Sequence, residues 1–381
     1  MNILVIGNGF DLAHNLPTKY TDFLEFVKVL KDLLTGTQIS QVNWGFMNPE
    51  IKGLIIENVQ NTKGNIYSNA KAWLELIEYN FWIEYFQQIQ AKENWIDFES
   101  EISEIIKSLD NDMVDKDGKR VLLKENIGLL SNPFLQEVFN KHIHLSITLD
   151  TTPQYISYEK VRDRLLGDLH KLIRALELYL TLFVENIPIN IQSPEIKGIK
   201  MDKVISFNYT HTYEKVYGLL NKNIEFIHGE ANLDNDIETN TMVLGIDEYL
   251  PEDRNYKEID FIGFKKYFQR INKGTGCEYK DWLAQMERGY TRNKAIHAGA
   301  ETISNLVYIF GHSLDVTDAD VLRSLIITEG TLTNIFSVDK KRKAQQIANL
   351  AKVLGPNELI NRTGGQTKSI FFIQQKPMES K

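Results

Sequence analysis

The N-terminal stretch Ile3-Leu4-Val5-Ile6-Gly7-Asn8-Gly9-Phe10-Asp11 carries the pattern that decides the fold. Four consecutive apolar residues that end in a Gly-x-Gly turn predict a buried parallel strand followed by a helix. The two glycines allow the backbone to approach a pyrophosphate closely and to direct amide groups and a helix N-terminus towards it. Leu12 replaces the third glycine of the usual dinucleotide fingerprint, so a tight turn without a ligand is an open alternative. Asp11 fits a ribose contact and a helix cap equally well.

Seven short apolar runs predict the strands of a mostly parallel sheet, because helical patterns lie between most of them. They occupy residues 2–6, 203–207, 224–227, 242–245, 306–310, 333–338 and 370–373. Residues from about 20 to 190 instead repeat apolar side chains every three or four positions, as amphipathic helices do. We therefore expect an α/β domain formed by residues 1–35 and 200–381. A large helical insertion over residues 36–199 follows its first strand, turn and helix.

The composition excludes several classes of protein. Hydrophobic residues make up 43% and charged residues 25% of the 381 positions, and no run approaches the roughly 20 apolar residues of a membrane span. A single cysteine, Cys277, excludes an internal disulfide and a zinc site built from several thiolates, so we expect no metal. The N-terminus lacks the pattern of a signal peptide, which favours a cytoplasmic location. The net charge of −8 disfavours non-specific binding of nucleic acid.

Polar residues follow two of the predicted strands at the edge where parallel sheets bind their ligands. Asn208 and Thr210 come after the run at 203–207, and an asparagine amide can orient a ribose hydroxyl or a water molecule. Either residue also fits the N-cap of the next predicted helix, which runs to residue 220. His228 follows the run at 224–227, where it fits a general base or a structural hydrogen-bonding residue.

Two further strand ends carry glycine and polar residues. Leu244-Gly245-Ile246-Asp247 and Gly311-His312-Ser313 each follow an apolar run, so both are predicted to lie at the same edge of the sheet. Thr317 or Asp318 is predicted to cap the helix that comes next, which gives Asp318 a structural explanation. Gly311, His312 and Ser313 have no comparable explanation.

These segments together resemble the AbiH family of bacterial phage abortive infection proteins, and the resemblance runs from residue 1 to about 355. The segments that carry it are Gly7-Asn8-Gly9-Phe10-Asp11, Leu16-Pro17-Thr18 with Tyr20, Phe207-Asn208-Tyr209-Thr210 with Thr212 and Glu214, His228-Gly229, Leu244-Gly245-Ile246-Asp247, and Gly311-His312-Ser313-Leu314 with Asp318. Trp95, Asp97 and Glu99 in the helical middle fit the same pattern. The resemblance implies a role in the sacrifice or arrest of the infected cell.

The AbiH pattern is in turn similar to sirtuin-like NAD-consuming domains, which implies a Rossmann-like sheet that binds NAD. In that comparison Asn208 would hold the nicotinamide ribose and the attacking water, and His228 would accept a proton. The residues expected to bind the nucleotide are Gly7, Asn8, Gly9, Phe10, Asp11, Thr18, Thr210, Gly245, Asp247, Gly311, His312 and Ser313. The single cysteine cannot form the thiolate zinc module of sirtuin deacylases, so protein deacylation is not expected. Thr210 stands where related domains have Asp.

Two functions from different classes follow from these observations. The first is an effector of phage defence that cleaves NAD at the nicotinamide–ribose bond. The second is a nucleotide-binding sensor without catalysis that contacts a phage component or a partner protein. Attack on nucleic acid is a third reading, and no cluster of metal-binding carboxylates supports it. No membrane contact is expected, and assembly into a homo-oligomer is left open.

Overall fold

The computed structural model describes residues 1–60, 69–90, 96–111, 121–123, 155–218, 223–247, 260–297, 302–366 and 368–381. Its central element is a six-stranded sheet in which every pair of neighbouring strands is parallel. The strands are β1 (Asn2–Ile6), β2 (Lys203–Ser206), β3 (Ile224–Phe226), β4 (Asn305–Phe310), β5 (Thr331–Ser337) and β6 (Ile370–Gln374). The predicted α/β architecture with a parallel sheet is therefore confirmed.

Thirteen α-helices lie in the described part of the chain. They are α1 (Asn8–Ala13), α2 (Tyr20–Leu34), α3 (Pro49–Gln60), α4 (Ala70–Ile77), α5 (Phe81–Gln90), α6 (Phe98–Asn111), α7 (Tyr158–Leu182), α8 (Thr212–Tyr217), α9 (Lys266–Lys273), α10 (Tyr279–Ile296), α11 (Ala319–Ile327), α12 (Lys340–Leu354) and α13 (Pro356–Thr363). Short antiparallel pairs join Val121–Leu123 to Tyr155–Ser157 and Ile191–Gln192 to Glu379–Ser380. None of these helices combines the length and apolar character needed to cross a bilayer.

The strands lie in the order β3-β2-β1-β4-β5-β6. This is the strand order of the Rossmann fold, in which the chain reverses direction across the sheet between the first and fourth strands. Ligands of such sheets bind beyond the carboxyl ends of the strands next to that reversal. The residues after β1, β2, β3 and β4 are therefore those to examine for a site.

The alternating side chains of β1 explain why the sheet is buried on both faces. Ile3 and Val5 belong to one hydrophobic cluster, which residues of α10, α11, α12 and α13 complete. Leu4 and Ile6 belong to a second cluster on the opposite face, which includes residues of α1 and α8. A strand with apolar residues on both faces is stable only between two helical layers, so the continuous run at positions 3–6 specifies this arrangement.

Contacts divide the chain into two compact units. The α/β unit comprises Met1–Thr18, Glu185–Glu230 and Gly274–Lys381, and the helical unit comprises Lys19–Val184 and Ala231–Lys273. The helical unit includes a second segment after β3, which the sequence did not indicate. Its core is rich in aromatic residues, as shown by Phe26, whose ring centroid lies 4.8 Å from that of Tyr179 and 4.7 Å from that of Phe183.

The predicted strand at residues 242–245 is wrong. This segment belongs to the helical unit, and the adjacent Ile246 forms an isolated bridge with Lys265 in place of a strand ladder among the described residues. The backbone amide of Leu244 donates to the side chain of Gln269 at 3.1 Å instead of to a neighbouring strand. Leu244 is fully buried, so the apolar run reflects burial of an extended segment and not membership of a sheet.

Candidate functional site

Four strands of the α/β unit end at one level, and each has a polar residue two positions further on. Ile6 of β1 pairs with Ser206 of β2 and with Phe310 of β4, and Ser206 pairs with Phe226 of β3. The residues two positions beyond these four strand ends are Asn8, Asn208, His228 and His312. The sheet register therefore brings predicted site residues from distant parts of the sequence to the same edge.

The glycine turns after β1 and β4 pack against each other through their backbones. The amide of Gly9 donates to the carbonyl of Gly311 at 2.8 Å, and the amide of Phe10 donates to the carbonyl of Gly7 at 2.8 Å. A Cβ atom on Gly9 would lie 2.7 Å from the carbonyl oxygen of Gly311, closer than real Cβ contacts allow. Close approach of two turns thus requires these glycines, and the amides of Gly9 and Phe10 are already engaged. Phosphate binding at this turn stays a prediction.

Asn8 and Thr18 are joined at the exposed side of the same turn. The hydroxyl of Thr18 donates to Oδ1 of Asn8 at 2.5 Å, and Nδ2 of Asn8 donates to the carbonyl of Thr18 at 3.4 Å. The pair connects the start of α1 to the segment that follows it. Two of the predicted nucleotide-binding residues are therefore in contact with each other.

Asp11 lies on α1 with only 1% of its surface exposed. Its Oδ2 accepts a 2.6 Å hydrogen bond from the hydroxyl of Thr210, which follows β2. Burial raises the pKa of Asp11 to about 6, although hydrogen bonding from the side chains of Thr210, Thr212 and Asn208 acts in the opposite direction. Oδ1 of Asp11 has no hydrogen-bond partner among the described residues. Asp11 therefore does not cap a helix, but faces the loop after β2.

Asn208 is 5% exposed, and neither atom of its side-chain amide makes a hydrogen bond of normal geometry in the described part of the chain, although the amide lies close enough to Asp11 to lower the pKa of that carboxyl. Its backbone is held in place by Ser206, whose hydroxyl donates to the Asn208 carbonyl at 3.1 Å and accepts from its amide at 3.2 Å. The following helix, α8, has His211 at its N-cap, so neither Asn208 nor Thr210 serves as the cap. A buried amide that makes no hydrogen bond of normal geometry costs the folded protein roughly 1–3 kcal/mol. A purely structural role does not explain why an asparagine occupies this position at that cost.

His228 and His312 both face the carboxylate of Asp318. Nε2 of His228 lies 3.3 Å from Oδ1 of Asp318, and Nε2 of His312 lies 3.3 Å from Oδ2. All three residues are buried, and the ring of Phe207 lies edge-on to both imidazoles at 5.5 and 4.3 Å. The structure thus unites two predicted site residues through a third that the sequence assigned to capping. Asp318 does precede α11, but its side chain makes no capping hydrogen bond.

A second group of charged residues ties the same loops together. His211 contacts Oε1 of Glu185 through Nδ1 at 2.8 Å and Oε2 of Glu230 through Nε2 at 3.1 Å. Burial opposes the charged imidazole, but these two carboxylates outweigh it and raise the pKa of His211 to about 10. Lys215 adds a 3.0 Å contact to Oε2 of Glu185. The sequence did not indicate this group, because its members are not spaced as any recognised motif.

The surroundings of the other predicted site residues are of a different kind. Ser313 follows His312 and is exposed, and its carbonyl accepts from Nδ2 of Asn349 at 2.9 Å. Gly245 and Asp247 belong to the helical unit. A side chain at Gly245 would meet Nε2 of Gln269 at 3.0 Å, which explains the glycine without a ligand. A nucleotide contact at Gly245 or Asp247 stays a prediction.

The predicted residues of the helical middle also have structural contacts. Oδ1 of Asp97 accepts from the amide of Glu99 at 3.0 Å at the start of α6. Glu99 forms a 2.7 Å ion pair with Lys266. Trp95 lies outside the described residues. Among the residues that are described, no group of three or more His, Cys, Asp or Glu side chains is arranged to hold a metal ion.

Comparison with known protein families identifies one match over most of the chain. A model of the family described as Bacteriophage abortive infection AbiH matches residues 3–337, which include β2 to β5, all of β1 except its first residue, and every predicted site residue discussed above. No curated protein and no solved structure matches the chain.

Proposed function

Because this chain belongs to the AbiH family of bacteriophage abortive infection proteins, we propose that its α/β unit binds NAD beyond the ends of β1, β2 and β3 and cleaves it. The observation that carries the proposal is the buried amide of Asn208, which makes no hydrogen bond of normal geometry in the described chain and adjoins the carboxyl of Asp11. Oδ1 of Asp11, which adjoins Asn208, is also buried and makes no hydrogen bond of normal geometry among the described residues. An amide and a carboxylate together offer the donor and the acceptors that a ribose diol requires.

The reaction breaks the bond between the nicotinamide nitrogen and C1′ of the ribose, with water as the second reactant. The bonding electrons leave with nicotinamide, the water oxygen bonds to C1′, and the products are nicotinamide, ADP-ribose and one proton. The transition state resembles an oxocarbenium ion, which positioned polar groups stabilise without a strong nucleophile. Asn208 orients the ribose and the water, and His228 accepts the proton.

Release of nicotinamide from NAD by the purified protein, with and without phage lysate, tests this proposal. We expect Asn208→Ala and His228→Ala to abolish release and cell toxicity while each protein remains soluble. Asn190→Ala and His297→Ala are matched controls, because both side chains are exposed and neither belongs to the proposed site. Full toxicity of both site variants would contradict catalysis.

Stability measurements on the same variants separate a ligand role from a structural one. The Asn208 amide makes no hydrogen bond of normal geometry, so Asn208→Ala should leave the melting temperature unchanged or raise it. A clear decrease would indicate a structural asparagine. Intact NAD in all conditions, together with tight nucleotide binding that Asn208→Ala removes, would instead support the non-catalytic sensor.

A further inference from the structure

The protonation of His312 is determined by its neighbours. Nδ1 of His312 accepts a hydrogen bond from the backbone amide of Leu314 at 2.9 Å, so this nitrogen carries no proton. The proton of the neutral ring is therefore on Nε2, which faces Oδ2 of Asp318 at 3.3 Å. The N–H group of His312 is thus directed at the carboxylate of Asp318 and favours one orientation of it.

We propose that Asp318 is a positioning residue that fixes the tautomer of His228. A carboxylate only accepts hydrogen bonds, so Oδ1 of Asp318 requires the proton of His228 to be on Nε2, 3.3 Å away. The proton-accepting lone pair of His228 is then on Nδ1, and Asp318 stabilises the imidazolium that forms when Nδ1 takes up a proton. The buried setting of all three residues and the ring of Phe207 keep this arrangement in place. The consequence for catalysis rests on the proposed function, whereas the tautomer does not.

The substitution Asp318→Asn makes the proposal testable, because an amide has one accepting and one donating end. His312 remains an Nε2 donor, since the amide of Leu314 still occupies its Nδ1. The amide oxygen of the new side chain therefore turns to His312, and its NH₂ group faces Nε2 of His228. His228 must then move its proton to Nδ1, where it can no longer accept one.

Long-range ¹H–¹⁵N correlation spectra of the histidine-labelled full chain at pH 8 measure these tautomers, with signals assigned through His228→Gln and His312→Gln. We expect Nε2–H for both rings in the wild type and Nδ1–H for His228 alone in Asp318→Asn. Asp318→Glu retains a carboxylate and should keep Nε2–H at His228. Asp315→Asn is the matched control, because this residue caps the adjacent turn through the amide of Thr317 and asparagine caps equally well. An Nδ1–H tautomer of His228 in the wild type overturns the proposal even if the variant does not fold.

Nicotinamide release by the same proteins tests the catalytic consequence separately. Loss of a base through the wrong tautomer should lower kcat about 10²- to 10⁴-fold in Asp318→Asn, with a smaller effect on KM. Asp318→Glu should recover part of kcat, and Asp315→Asn should match the wild type. A tautomer switch with unchanged kcat overturns the positioning role in catalysis. A tautomer switch in a protein whose wild type leaves NAD intact supports the role of Asp318 and contradicts the proposed function.

Discussion

Asp11 and Asn208 are buried polar residues whose side chains cost the folded protein free energy. Each has at least one polar atom without a hydrogen-bond partner among the described residues. Such atoms cost roughly 1–3 kcal/mol each, and a purely structural position would be occupied more favourably by an apolar residue. The side chains of Asp11 on α1 and Asn208 in the loop after β2 are neighbours at the edge of the sheet where ligand-binding groups are expected.

Asp11→Asn should stabilise the protein above pH 6 and have no such effect at low pH. The folded pKa of Asp11 is about 6, above the usual 3.8, so its ionisation at higher pH costs the folded state roughly 3 kcal/mol. The stability that this group contributes is complete below 3.8 and is lost as the pH rises to 6. Thermal unfolding at pH 4.5 and 8 measures the difference, with the exposed Asp234→Asn as control. An equal gain at both pH values would contradict the raised pKa.

The group of His211, Glu185 and Glu230 should make stability depend on pH in the alkaline range. The folded pKa of His211 is about 10 and its usual value is 6.5. Its contribution is therefore complete below pH 6.5 and is lost as the pH rises through 10. Glu230→Gln should lower the melting temperature at pH 6 more than at pH 10, whereas the exposed Glu329→Gln should have little effect at either. Calorimetry across this range checks the sign.

At the level of elements, the turns after β1 and β4 pack directly against each other through their backbones. Gly311 has φ of 69°, a conformation that residues with a Cβ rarely adopt, and a Cβ there would overlap the backbone of Phe10. The ends of the two strands are therefore filled by backbone on that side. The proposed nucleotide would therefore approach from the side of β2 and β3, where Asn208 and His228 are placed.

Gly9→Ala and Gly311→Ala should each destabilise the protein by about 1–3 kcal/mol, because the two turns must separate to admit a methyl group. Gly289→Ala in α10 has open space around it and should be neutral or stabilise by about 0.5–1 kcal/mol. Denaturant unfolding measures all three. Wild-type stability of Gly9→Ala together with weaker nucleotide binding would instead favour a direct phosphate contact at this turn.

At the level of the whole molecule, the sequence predicted the positions of the strands better than the contacts between residues that are distant in the chain. Runs of apolar residues located all six strands of the parallel sheet, because burial on both faces is visible locally. The run at 242–245 has the same composition, but Gln269 satisfies its backbone, and no local pattern reveals that difference. The role of Asp318 was missed for a related reason, since it depends on two histidines that only the folded sheet brings together.

Removal of residues 338–381, which follow the family match, should prevent folding of the α/β unit. These residues supply β6 and the buried side chains of Leu350, Val353, Leu354, Leu359 and Ile370. Their burial stabilises by roughly 8–15 kcal/mol, as much as the total stability of a typical domain. Circular dichroism and solubility of the truncated chain test this. Removal of 379–381 alone should leave the fold intact, because these residues are exposed.

The backbone contact between Gly9 and Gly311 limits how this protein can diverge. A larger residue at either position requires the facing turn to move away. That movement also displaces His312 and therefore its contact with Asp318. We expect relatives either to keep both glycines or to have replaced both, together with a rebuilt pair of histidines. We therefore expect the two glycine turns to change together during divergence, even though most of the chain lies between them.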